Sequence, residues 1–495
     1  MDSPITVETL PIEILGEIFQ QLSLVYPDAP SLLSRVSTTF NRVVRSTPAA
    51  WGALHLVACE GDDTVGREKA RLWFSMVGTC MVDVTITMKA SSAPLSGFFL
   101  TDVPSPSFGV SDILRHNTNL IGSLRLEAAS EFDARSFVNA VYRGEDLPDT
   151  HVLESFSVKV SSTTPPTQFA SSIAVPNLPN LRNLNLLNHS IAFLASRQFD
   201  HLLHMSVTRP IRFPPFPLAS LLQILRSAPL LQTLSIESRI LDGAPDSGNL
   251  IHLPHLTQLS LRTNVVPSIL SLLLLPNLQS LQLDDLNGRR SGSSQETGSV
   301  LRQLLVRMEL PSIHRAGTGL KSLELIGVEV CLKGDGRMRA DDDGVWEWCI
   351  KRMKSLEVLK VKKVDPSAIL DILGTSSSTL LCGTAQQHEG SSLADSEWPC
   401  PRLRHITCTD SAVPLNLDWF REKRANVEVV VDVGSNLFSP ALMSPNTVDF
   451  LSVYTDIHRS PSSSKPGSNN PSPVRTTPLS RHFGPWVVLG HEKQH

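Results

Sequence analysis

The chain has few aromatic residues, no long apolar run, no clear excess of either charge and no paired cysteines. Each shortage removes a class of protein. Aromatics make up 6% of the 495 residues, with three tyrosines. Basic and acidic residues number 44 and 48, for a net charge of −4. A dedicated nucleic-acid binder carries a basic excess, so no nucleic-acid partner is expected. The most apolar run, Ile269 to Leu275, is flanked by Pro267 and Pro276. It falls far short of the ~20 residues that span a bilayer. The first residues offer neither a basic n-region nor an apolar h-region, so neither export nor a membrane partner is expected. The seven cysteines (Cys59, Cys80, Cys331, Cys349, Cys382, Cys400, Cys408) are scattered, odd in number and form no C-x-x-C pair. That usage fits a reducing compartment, cytoplasmic or nuclear, and predicts buried thiols rather than disulfides. The sequon Asn188-His189-Ser190 is then a chance match.

Aliphatic residues supply what the aromatics do not. Hydrophobic residues reach 41% and are mostly Leu, Val, Ile and Ala, enough for a large core and too many for global disorder. At roughly 150 residues per domain the length suits about three units, or one long array with additions. A pattern L-x-x-L-x-L appears at Ile121/Leu124/Leu126 and recurs at Leu153, Leu181, Leu202, Leu231, Leu256, Leu278, Leu320, Leu356 and Leu403. The intervals run from 21 to 32 residues up to Leu278, then 42, 36 and 47. The shorter ones match leucine-rich repeats, and the last three are stretched by insertions. In L-x-L both apolar residues point to one side of a strand and the x residues to the other. Helical segments are expected between strands at Leu218–Leu225, Ser268–Leu275, Val300–Met308 and Val345–Met353. Prolines before the strands, as in Leu178-Pro179-Asn180-Leu181, end each helix and turn the chain. An earlier unit, Glu68–Met76 then Val82–Met88, leads into the array, and Val427–Val433 is a candidate last strand. Polar inserts at Gly288–Gly298, Lys333–Gly344 and Thr375–Ser396 read as surface loops. The tail from about residue 456 has six prolines among many serines and is expected to be disordered.

The first 56 residues read as three helices. Leu10 to Leu22 places apolar residues at Pro11, Ile14, Leu15, Ile18, Phe19 and Leu22, an amphipathic helix with Thr9 as candidate N-cap and Pro11 in its first turn. Pro27 and Pro30 bound a loop. A second helix carries Leu32, Leu33 and Val36, and a third Phe40, Val43 and Val44. Pro48 stops it, and Trp51, Leu54 and Leu56 close the module. The ordered lines Leu10-Pro11-x-Glu13-Ile14-Leu15-x-x-Ile18-Phe19-x-x-Leu22, Leu32-Leu33-x-x-Val36-Ser37-x-x-Phe40 and Pro48-x-x-Trp51 resemble the F-box motif. They depart from it modestly, with Ser37 where Cys is common and a long Ser23–Pro30 loop. An F-box followed by degenerate leucine-rich repeats resembles fungal F-box proteins.

The resemblance implies an α/β chain: a small three-helix F-box (1–56), a linker and first helix–strand unit (57–114), an irregular leucine-rich-repeat solenoid with a parallel sheet and helices on its convex side (115–435), and a Pro/Ser-rich tail (436–495). It implies no enzyme and no cofactor. The implied role is the substrate-recognition subunit of an SCF-type cullin–RING ubiquitin ligase. The F-box docks a Skp-type adaptor, and through it a cullin, while the repeats hold a protein substrate. By analogy Leu10, Pro11, Ile14, Ile18, Leu22, Leu32, Val36, Phe40 and Trp51 carry the module, some toward the partner and others toward the core. Outward strand residues Asn185, Ser235, Ser260, Gln282, Glu324, Lys360 and Thr407 line one sheet face. Glu324, Lys360 and Lys362, near the largest inserts, are the candidate substrate contacts.

Other motifs are weak. His491-Glu492-Lys493-Gln494-His495 spells H-E-x-x-H. A catalytic zinc also needs a third ligand and a dry cavity, so no metal site is expected. Asp341-Asp342-Asp343-Gly344 lacks the spacing of a calcium loop. In Gly317-Thr318-Gly319-Leu320-Lys321-Ser322, leucine stands where a P-loop requires glycine. The competing readings are a repeat scaffold whose helices only cap the array and, more remotely, a zinc hydrolase.

Overall fold

The computed structural model describes residues 7, 10–58, 63–89, 109–142, 152–161, 178–191, 194, 197–243, 250–286, 293–309, 319–328, 330, 344–375, 398–409 and 417–432. Thr9, the Lys333–Asp343 and Ser376–Ser396 inserts, the tail and the H-E-x-x-H sequence lie outside these residues. The chain begins with α1 (Ile12–Val25), α2 (Ala29–Leu33), α3 (Thr38–Ser46) and a 3₁₀ turn at Pro48–Trp51. Next come β1 (Ala53–Ala58), α4 (Thr64–Val77), β2 (Val82–Met88), α5 (Gly109–His116), β3 (Ile121–Ala128), α6 (Glu131–Tyr142), β4 (Ser155–Val160), β5 (Asn183–Leu187) and β6 (His204–Thr208). The middle contains β7 (Phe216–Pro217), α7 (Leu218–Arg226), β8 (Thr233–Glu237), β9 (Ile240–Leu241), β10 (Ile251–His252), β11 (Gln258–Thr263), α8 (Val266–Ser271), β12 (Leu273–Leu274) and β13 (Ser280–Asp285). The last part is α9 (Ser293–Glu309), β14 (Ser322–Ile326), α10 (Val345–Arg352), β15 (Val358–Lys362), α11 (Ser367–Gly374), β16 (His405–Thr409), α12 (Asp418–Lys423) and β17 (Glu428–Asp432).

Thirteen of these strands form one all-parallel sheet in chain order, β1-β2-β3-β4-β5-β6-β8-β11-β13-β14-β15-β16-β17. This is a leucine-rich-repeat-like α/β solenoid preceded by helices. In every motif the three apolar positions are buried, as with Leu256, Leu259 and Leu261 or Leu403, Ile406 and Cys408. One such unit leaves its leucine face open, and stacking the next unit covers it. The register expected from the sequence persists past the long insertions: Gln282 pairs with Glu324, Glu324 with Lys360 and Lys360 with Thr407.

The proline before each strand has a defined place. The Leu181 N–H donates to the Leu178 carbonyl at 3.2 Å, Leu256 to Leu253 at 3.3 Å and Leu403 to Cys400 at 3.0 Å. Each bond closes a four-residue turn with Pro179, Pro254 or Pro401 second, the position for which a fixed φ near −65° is already suited. Adjacent turns are also tied together, since Asn277 Nδ2 donates to the Pro254 carbonyl at 2.6 Å.

Several boundaries differ from expectation. The expected helix Ser268–Leu275 is α8, six residues beginning at Val266 with Pro267 in its first turn. Leu273–Leu274 pair instead as a short strand with Ile251–His252. The Gly288–Gly298 insert is not wholly loop, because Ser293–Gly298 open α9. Pro30 lies within α2 rather than in a loop, and Val36 falls after that helix. Pro11 is the N-cap of α1, one step before its first turn. The module does not end as a separate unit at residue 56. Leu54 and Leu56 belong to β1, which pairs with β2 and starts the sheet.

Candidate functional site

The N-terminal helices sort the resemblance residues into two sets. Leu15, Phe19, Val43 and Val44 are buried between the helices, and the Phe19 ring meets Phe40 edge-on at 5.0 Å. Ser37 caps α3 by accepting the Phe40 N–H at 3.2 Å, so the serine at this position has a local structural use. Trp51 is a correction to the expected partner-binding set. It is 2% exposed, donates from Nε1 to the Val44 carbonyl at 2.9 Å and packs edge-on against Trp73 at 4.9 Å. A side chain held on all sides by its own fold has no surface left for a partner. Leu10, Leu22 and Phe40 are half-buried. By contrast Pro11, Ile14, Ile18, Leu32 and Val36 face outward, with Ile14 at 44%, Ile18 at 45%, Leu32 at 61% and Val36 at 64% exposure.

This outward set is dense. Eight of the 19 large exposed apolar side chains among the described residues lie between Ile12 and Val36, and they include Leu24, Val25 and Tyr26, which sequence reasoning did not single out. One helix normally needs a single apolar stripe. α1 has a buried stripe at Leu15 and Phe19 and a second, exposed apolar stripe at Ile14 and Ile18. The helices are fixed to the sheet through Trp73, whose Nε1 donates to the Ala53 carbonyl at 2.8 Å. Lys69 joins them as well, pairing with Asp28 and donating to the His55 carbonyl.

The second candidate site is the sheet face opposite the leucines. A groove of about 490 Å³ crosses β4, β5, β6, β8, β11 and β13. One row of its lining is Ser155, Asn183, His204, Thr233, Gln258 and Ser280, and the next is Asn185, Ser206, Ser235, Ser260 and Gln282. The second row contains four residues expected from the L-x-L alternation, whereas the first was missed although the same alternation exposes it. His204 Nδ1 lies 2.7 Å from Thr233 Oγ1, and Ser260 Oγ donates to Gln282 Oε1 at 2.7 Å.

Glu324, Lys360 and Lys362 do not line this groove. They sit on the same face just beyond Gln282, in β14 and β15. Lys362 Nζ is 2.6 Å from Glu324 Oε1. Other charges on this face also pair internally: Arg262 bridges Glu237 at 2.6 Å and Asp284 at 3.0 Å, and Lys159 lies 3.3 Å from Glu127.

A buried ionic cluster, not foreseen from the sequence, ties α6 to the loop after β5. Glu131 Oε1 accepts from Arg135 at 2.6 Å and from the Ser190 N–H at 3.1 Å, while Arg209 lies 3.6 Å from Oε2. Burial alone raises the Glu131 carboxyl, but His189, Arg135 and Arg209 outweigh it and hold the carboxyl below its ordinary range. Burial drives His189 down to about 4, against the pull of Glu131. The ring is therefore neutral at pH 7, and the two arginines keep Glu131 ionised. Asn188, the sequon residue, donates from Nδ2 to the Val160 carbonyl at 2.8 Å.

Cys349, Cys400 and Cys408 are buried free thiols and Cys80 is half-buried. Among the described residues no group of three or more His, Cys, Asp or Glu side chains is placed to hold a metal ion. No described helix is long and apolar enough to cross a membrane. The chain matches no protein-family model and no curated protein.

Proposed function

We propose that this chain is the substrate-recruiting subunit of an SCF-type cullin–RING ubiquitin ligase, working in the cytoplasm or nucleus. The observation that carries the reading is the division of the F-box-like motif. Its Leu15, Phe19, Val43 and Trp51 positions make a core, while Ile14, Ile18, Leu32 and Val36 stay exposed on helices packed against one another. The exposed set is the surface offered to a Skp-type adaptor, and the polar sheet face is the surface offered to a protein substrate. The chain performs no bond chemistry and needs no cofactor. It raises the local concentration of substrate lysines near a charged ubiquitin-conjugating enzyme.

A scaffold whose helices merely cap the array is the alternative. Capping accounts for Trp51 against Trp73 but gives the exposed isoleucines no purpose. The test is purification of the full chain with a Skp-type adaptor and a cullin. A stoichiometric complex supports the ligase reading. A folded chain that binds no adaptor leaves the scaffold.

A further inference from the structure

We infer that the groove across β4 to β13 binds an extended peptide segment without charged side chains, recognised through its backbone. The inference deepens the proposal above, resting on its reading of the sheet face as the substrate surface, and names the class of substrate segment. Three observations carry it. First, the lining holds no Asp, Glu, Lys or Arg, and the nearby Lys159, Arg262 and Lys362 are each paired with a carboxylate. An anionic ligand such as a phosphorylated segment meets no cation within the lining itself, and a charged side chain of either sign seated there loses water without gaining a counter-charge. Second, among the described residues Asn183, Asn185, Ser206, Ser235, Gln258 and Ser280 spend no side chain on a hydrogen bond within the protein. Amides and hydroxyls both donate and accept, as peptide N–H and C=O groups require. Third, the lining presents no Phe, Tyr or Trp ring to solvent, since its one such residue, Phe156, is 1% exposed. The flat apolar body on which a sugar ring stacks is absent from the lining, which disfavours a glycan.

The dimensions agree. Six adjacent strands at ~4.8 Å spacing span roughly 24 Å, the length of about seven residues of extended chain. A peptide laid across the strands meets a polar side chain at each strand it crosses.

The test is selection of a random linear peptide library on the full chain. The expected winners share an uncharged stretch of about seven residues, and their binding changes little up to ~0.5 M salt. Ser235→Asp, which places a charge mid-groove, should weaken them by about tenfold or more, and Asn185→Ala, at an exposed position, by about fivefold. Enrichment of acidic or basic peptides, salt-sensitive binding, indifference to both substitutions, or glycan binding without peptide enrichment would each overturn the inference. Adaptor capture by the same variants separates the two proposals. Uncharged peptides selected by a chain that captures no adaptor uphold the groove and remove the ligase. Adaptor capture without peptide enrichment does the reverse.

Discussion

Replacing Ile14 and Ile18 together by alanine separates docking from folding within a single helix. Their exposures of 44% and 45% leave nearly half of each side chain in water. Full burial of an isoleucine is worth ~1.5–3 kcal/mol, so covering the remaining half contributes ~1 kcal/mol each. The double variant should lose ~2 kcal/mol of adaptor binding, about a 30-fold rise in Kd. Stability should hold or rise slightly, because alanine is the better helix former by a few tenths of a kcal/mol. Leu15, adjacent to Ile14 and 0% exposed, gives the opposite result: Leu15→Ala should cost ~2–5 kcal/mol of stability. The assay is calorimetric titration of a purified Skp-type adaptor, with thermal unfolding of each variant alongside. A folded double variant that binds the adaptor within about twofold of the parent chain would refute the docking-face argument.

Three further outcomes are expected. His189 is held near 4 in the folded chain against an ordinary value of 6.5, so the unfolded chain binds the extra proton first as pH falls. The stability of its neutral, buried form is complete above about pH 6.5 and declines toward pH 4, by ~3 kcal/mol. Urea melts across that range check it, and a His189→Gln variant with an unchanged slope defeats the assignment. Burial pushes the thiols of Cys349 and Cys400 up to about 12 and that of Cys408 to about 11. Among the four described cysteines, alkylation at neutral pH should label half-buried Cys80 first and the other three only after denaturation, as peptide mass mapping will report. Finally, Lys360→Glu with Lys362→Glu should keep a native circular dichroism spectrum, because both side chains lie on the outward face of β15. The lost Lys362–Glu324 pair costs ~1 kcal/mol at most, and an unfolded spectrum would show that these positions point inward.

The repeat fold was legible because its signal is redundant. Each L-x-x-L-x-L fixes an inward pair and a turn, so Leu356/Leu359/Val361 can be read even 36 residues after the preceding motif. β1 was harder. Leu54 and Leu56 alternate correctly, but their nearness to Trp51 made them look like the end of the helical module. The five-residue α2 carries too few turns for a period to emerge. The division of Ile14 from Leu15 depends on which way α1 rolls against α3, and an apolar residue reads alike on either face. The Glu131–His189–Arg209 cluster joins residues up to 78 positions apart, a separation that no local pattern encodes. The groove was half legible. Its outward residues followed from alternation, but the expected emphasis on Lys360 and Lys362 missed that their neighbour Glu324 already engages one of them.

The sheet's two edges differ, which gives the molecule a direction of unravelling. At one edge β1 buries Leu54, Leu56 and Ala58 beneath α4, with Trp51 and Trp73 closing over it. At the other, β17 pairs with β16 alone among the described residues and leaves Val430 47% exposed. In a stacked array each unit leans on its neighbours, so the unit with one neighbour opens most readily. Amide hydrogens of β17 should exchange first, followed by β16 and β15, while those of β1 and β2 outlast them. The helices that bear the proposed docking face thus stand at the slow-exchanging end, and partial unfolding from the far edge consumes the outer repeats before it loosens those helices.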